Sequence, residues 1–114
     1  MNGKLCELRT CFYLLLRGYI ILDRNYHSRF GEIDIIARKK DTVVFVEVKA
    51  RGENAFYQPA FAVDVYKQRK IIKTAQFYLI NKKYDDMDIR FDVVELFKKG
   101  KRIRINHIIN AFEV

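Results

Sequence analysis

Cysteine, histidine and proline are scarce in this 114-residue chain, and each shortage closes off a class of function. The two cysteines, Cys6 and Cys11, stand five apart in a run with helical periodicity. Their side chains therefore leave in different directions and suggest neither a disulfide nor a zinc pair. They read as reduced packing residues, and a reducing cytoplasm is the expected compartment. The two histidines, His27 and His107, show no metal-ligand spacing and read as surface or capping residues. Long apolar runs are missing as well. The longest near the N-terminus, Cys11 to Leu16, is too short to span a bilayer and no cleavage pattern follows it, so no membrane role is expected. The one proline, Pro59, falls in a loop expected over Arg51 to Pro59, and no repeat, low-complexity tract or linker is visible. A single domain, 1–114, is the expected organisation, long enough to bury a core without staples.

Basic charge is what the chain has in excess. Lys plus Arg outnumber Asp plus Glu by 22 to 14, giving a net charge of +8, and half of the residues are hydrophobic. The chain should fold, and its field favours polyanionic partners, nucleic acid ahead of a merely solubilising surface. Whether two copies pair as a homodimer is left open.

Periodicity sets out the elements. Lys4 to Arg17 reads as a helix with an inward stripe of Leu5, Leu8, Phe12 and Leu15, stopped by Gly18 at a C-cap position. Strands are expected at Tyr19 to Tyr26, Glu32 to Arg38 and Val43 to Ala50, and a second helix at about Asp64 to Asn81. Two late strands follow, Ile89 to Phe97 and Arg102 to His107. The order α-β-β-β-α-β-β suits a mixed sheet flanked by helices.

Charges occupy positions in this sheet that should be apolar. In Phe45-Val46-Glu47-Val48-Lys49 the period-two rule places Val44, Val46 and Val48 on one face and Phe45, Glu47 and Lys49 on the other. A hairpin centred between Lys40 and Asp41 sets Asp34 across from Glu47, and the same register pairs Glu32 with Lys49. Like charges opposed across strands destabilise a sheet, so Asp34 and Glu47 call for a cation between them, a divalent metal above all.

Asp34, twelve intervening residues, then Glu47-Val48-Lys49 resembles the PD-(D/E)xK signature of restriction-endonuclease-like nucleases. The run of segments is similar, over nearly the whole chain, to the YraN-like family of small bacterial predicted nucleases. These segments are Gly18 to Tyr26, Gly31-Glu32-Ile33-Asp34, Phe45 to Lys49, Lys67-Gln68-Arg69, Arg90-Phe91-Asp92-Val93 and His107-Ile108 with Ala111-Phe112. Two departures stand out: Cys6-Glu7-Leu8-Arg9-Thr10 where the family tends to Gly-Glu-x-x-Ala, and Tyr57 near a usual glycine.

The resemblance implies a restriction-endonuclease-like fold and metal-dependent cleavage of a phosphodiester in DNA rather than RNA, structured or branched DNA included. Asp34 and Glu47 would hold Mg2+ or Mn2+ with the backbone carbonyl of Val48. Lys49 would orient the water or steady developing charge. Glu7 matches the family's helix glutamate and would add an outer ligand, although a first-turn glutamate beside Lys4 also suits a helix dipole. Gln68, on the inward arc of the second helix, is a further site candidate. Arg24, Arg29, Lys67, Arg69 and Lys70 are the candidate phosphate contacts, and Phe56 or Tyr57 could stack on an unpaired base. Asp92 is explained equally well by pairing with Arg90. The alternatives are a non-catalytic nucleic-acid-binding module and an interaction subunit of a DNA-processing complex.

Overall fold

The computed structural model describes residues 3–51, 64–84 and 86–114. The expected order of elements is the order found. A helix α1 (Gly3–Leu16) precedes strands β1 (Ile20–Ser28), β2 (Gly31–Lys39) and β3 (Thr42–Arg51); helix α2 (Val65–Lys82) and strands β4 (Asp88–Lys99) and β5 (Arg102–Phe112) complete the chain. Gly18 ends α1 as expected. At φ +88° it lets the Gly18 and Tyr19 amides donate back to the Leu15 and Leu14 carbonyls, satisfying orphan groups of the last turn. Asp64 caps α2, its carboxylate accepting from the Lys67 amide at 2.8 Å.

The strands form one sheet in the order β1-β2-β3-β4-β5. Only β3 and β4 run parallel, because α2 carries the chain from one to the other, and the remaining neighbours are antiparallel. Each helix covers one face. Val43, Phe45, Phe91 and Val93 pack with Ile71, Ala75 and Tyr78 of α2, whereas Val44, Val46, Val94 and Leu96 pack with Cys6, Cys11 and Leu14 of α1. This is the alternation read from the sequence. A fully buried Val, Ile or Leu contributes ~1.5–3 kcal/mol, so two such layers can sustain a few kcal/mol of polar strain elsewhere.

The inward face of α1 differs from expectation. Leu5, Leu8, Phe12 and Leu15 are exposed, and the buried row is Cys6, Thr10, Cys11 and Leu14. Small side chains let the helix approach the valines of the sheet closely, and the Thr10 hydroxyl is satisfied by donating to the Cys6 carbonyl at 2.7 Å. Burial raises the pKa of both thiols, which remain free. His107 also departs from the expected surface role. On a β5 that runs five residues further than expected, its side chain is only 6% exposed, with Nε2 at 2.7 Å from Asp92 Oδ2. No helix among the described residues is long and apolar enough to cross a membrane.

Candidate functional site

The hairpin turn sets the register of β2 on β3. Lys40 takes the left-handed conformation at φ 53°, Lys39 pairs with Thr42, and the ladder runs on to Ile35 opposite Val46. There β2 and β3 stop pairing, while β3 continues against β4 as far as Arg51 opposite Phe97. Asp34 and Glu47 occupy the next positions, at the fork between the strands. The Val48 amide donates across the fork to Asp34 Oδ2 at 2.8 Å, and the Asp34 and Glu47 carboxyls lie within hydrogen-bonding reach of each other. Residues beyond the fork find other partners. Glu32 meets His27 Nδ1 at 3.2 Å and pairs along β1, and Lys49 lies opposite Glu95 of β4, so the β2–β3 ladder ends before the expected Glu32–Lys49 register.

Helix α2 brings a cation to the acids. Lys67 Nζ lies 3.0 Å from Glu47 Oε1, with the glutamate largely enclosed. Burial, and next the charge of Glu47, push the Asp34 carboxyl up to about 6, outweighing the Val48 amide and Lys67. Burial by itself would lower Lys67, but the hydrogen bond to Glu47 and the surrounding carboxylates raise it. Two acids thus share a site that disfavours their both being charged, with one ammonium compensating part of the repulsion. Lys67 also lines a cleft of about 360 Å3, together with Gly31, Glu32, Asp64, Tyr66, Lys70 and Ile71. A larger one, about 630 Å3, opens at the other end of β3 and β4. Its arginine, Arg90, is already held by Asp92.

The other expected site residues separate. Glu7 faces the sheet from α1, on the face away from α2, with Oε1 buried and without a hydrogen-bond partner among the described residues. It does not join Asp34 and Glu47. Among the described residues no three His, Cys, Asp or Glu side chains gather where they could hold a metal. Gln68 is half-buried in the first turns of α2. Lys70 lies with its Nζ 4.6 Å from the centre of the Tyr66 ring, and Arg29 stacks on Phe30 at 5.0 Å. Arg69 is exposed on α2. Arg24 is close enough to Cys11 for its charge to offset part of the rise that burial causes there, and it pairs with Ile35, which places it on the α1 side of the sheet. Phe56 and Tyr57 lie outside the described residues.

Sequence reasoning missed Glu95. It is 1 % exposed and accepts from Arg51 Nε and Asn106 Nδ2, each at 2.9 Å. The signal was present, a lone acid inside the apolar run Val93-Val94-Glu95-Leu96, of the kind that marks Glu47. Lys67 was expected as a phosphate contact; its ion pair with Glu47 depends on where the fold sets α2 against β3, which no local pattern encodes.

Comparison with known proteins places this arrangement in a family. Residues 6–96 match the description "Uncharacterised protein family UPF0102". A UPF0102 protein of Syntrophus aciditrophicus is 49% identical over 113 residues, covering 99% of this chain and 89% of the relative. One from Alkaliphilus oremlandii is 47% identical over 112 residues, covering 96% of each. One from Clostridioides difficile is 47% identical over 111 residues, covering 97% of this chain and 96% of its own. The chain belongs to the UPF0102 family, the YraN-like family its sequence resembles.

Proposed function

We propose that this protein is a divalent-metal-dependent nuclease of the PD-(D/E)xK kind, hydrolysing phosphodiesters in DNA, with Asp34 and Glu47 as its metal ligands. The observation that carries the reading is the pair itself: two carboxylates within hydrogen-bonding reach at a strand fork, one of them pushed up to about 6. The donor set suits the metal. Mg2+ and Mn2+ take oxygen ligands, and Mg2+ commonly uses only one or two carboxylates, leaving positions for water and phosphate. Zinc would want three or four nitrogen or sulfur ligands, which the site lacks. The Val48 amide faces Asp34, and an extended residue sends its N–H and C=O to the same edge, so the Val48 carbonyl also leaves toward β2. Glu7 is left out of the ligand set.

When bound, the metal supplies a water of lowered pKa and a positive charge beside the phosphate. The chain's own groups do the rest. Lys49, on the face of Glu47, would orient that water or steady charge on the phosphate. Lys67 and Lys70 border the cleft where phosphate would enter. The test is a cleavage panel of linear, flapped and branched DNA with Mg2+ or Mn2+, run on the parent and Glu47→Gln. Metal-dependent products lost by at least a hundredfold in the variant are expected. Metal bound without products on any substrate would support the second reading, a non-catalytic binding module. That reading is favoured by Lys67, which already neutralises Glu47 without a metal.

Two further results are expected. DNA affinity should fall roughly a hundredfold between about 50 and about 200 mM salt if about four phosphates are contacted. A flat dependence in a fluorescence anisotropy titration would remove the nucleic-acid reading. Lys67→Met should tighten Mn2+ binding roughly tenfold, because the ammonium at Glu47 repels an incoming cation through a partly screened field. Unchanged or weaker Mn2+ binding by calorimetry would contradict that placement.

A further inference from the structure

Helix α1 is apolar on two opposite sides. Its inner row is buried against the sheet, while Leu5, Leu8, Phe12 and Leu15 form an outer row in which Phe12 is 66% exposed. Leu16, 87% exposed, and Ile20, 61% exposed, extend the surface to the start of the edge strand β1. The outer spacing, three-four-three, is that of a and d positions along a helix–helix seam. Lys4 and Arg9 flank the seam, one on either side. At roughly 150–250 Å2 for a whole large side chain, these exposures amount to about 600 Å2. Doubled across a twofold axis that is about 1,200 Å2, the lower bound of a specific interface.

We propose that this face pairs with the same face of a second copy of the chain, α1 against α1, in an isologous dimer. A surface of this pattern is self-complementary about a twofold axis. The basic flanks repel one another, but exposed like charges cost little and are screened, whereas the apolar area is lost from water whatever the salt. The pairing leaves Asp34 and Glu47 accessible, since they lie on the face covered by α2, so it does not depend on the proposed activity.

The charges give the dimer a signature that other occupants lack. Self-association should tighten as salt rises from about 50 to about 500 mM, while docking on an acidic helix or an anionic vesicle should weaken. Sedimentation of the full chain up to about 100 µM should show a dimer, with Phe12→Glu and Leu8→Glu each weakening it at least thirtyfold. Both positions are exposed, so circular dichroism and Mn2+ binding of the variants should match the parent. A parent that stays monomeric, a dimer that persists in both variants, or one that loosens with salt would overturn the proposal. So would monomers captured by phosphatidylserine vesicles and released by Phe12→Glu.

Discussion

Asp34→Asn should make the metal-free protein more stable. At near pH 8 in EDTA the variant is expected to melt roughly 8–12 °C above the parent, about 2–3 kcal/mol. The cause is the carboxyl raised from the ordinary range to about 6 by burial and by Glu47. The native state holds that proton more tightly than the unfolded chain does, so parent stability falls as pH rises from about 4 to about 6 and the full deficit persists above. An asparagine still accepts from the Val48 amide and carries no charge to repel Glu47. Below about pH 4 the aspartate is protonated in both states and the advantage should vanish. If Asp34 were instead one partner of a structural ion pair, the substitution would orphan a cation and lower the melting temperature. Melts of both proteins across this pH range separate the two accounts by sign.

Asp92 should behave in the opposite way. Fully buried, it accepts from Arg90 Nε and Nη2, both at 2.8 Å, has His107 Nε2 at 2.7 Å, and accepts from the Asn110 amide at 3.0 Å. Arg90 also donates to the Tyr19 hydroxyl at 2.6 Å, and His107 Nδ1 lies 3.1 Å from the Tyr13 hydroxyl. One carboxylate therefore ties β4 and β5 to α1 and the start of β1. Burial alone would raise its pKa, but these donors outweigh burial and lower it. Asp92→Ala leaves a guanidinium and an imidazole without their acceptor and should cost about 3–5 kcal/mol. Asp92→Asn, which keeps the shape, should cost less. Because the native pKa is lowered, this contribution is present above about pH 4 and fades as pH falls further, so the gap between parent and variant should narrow in acid. A chemical-denaturation difference under about 1 kcal/mol near neutral pH would contradict this role.

The contrast between the two aspartates shows what the sequence could carry. Alternation in β3 assigns its faces because the period is two, and the two-residue turn at Lys40 and Asp41 fixes the register, so Asp34 and Glu47 meet as expected. Helix α1 was legible as a helix but not in its orientation. Both of its rows are apolar, and the choice between leucines and small residues is settled by how closely the sheet lets the helix approach. His107 and Asp92 are fifteen residues apart, and only the β4–β5 pairing brings them together. Glu7 matches the family's helix glutamate in position, and only the packing of α1 shows that its Oε1 is buried without a hydrogen-bond partner among the described residues.

The central claim is that Asp34 and Glu47 form one divalent-metal site. Calorimetric titration of Mn2+ into the parent and Asp34→Asn, near pH 8, tests it most directly. The claim predicts saturable binding at one or two sites in the parent, with affinity falling as pH drops below about 6 because the metal must displace the shared proton, and binding lost in the variant. Equal binding by both proteins, or none by the parent, would contradict it.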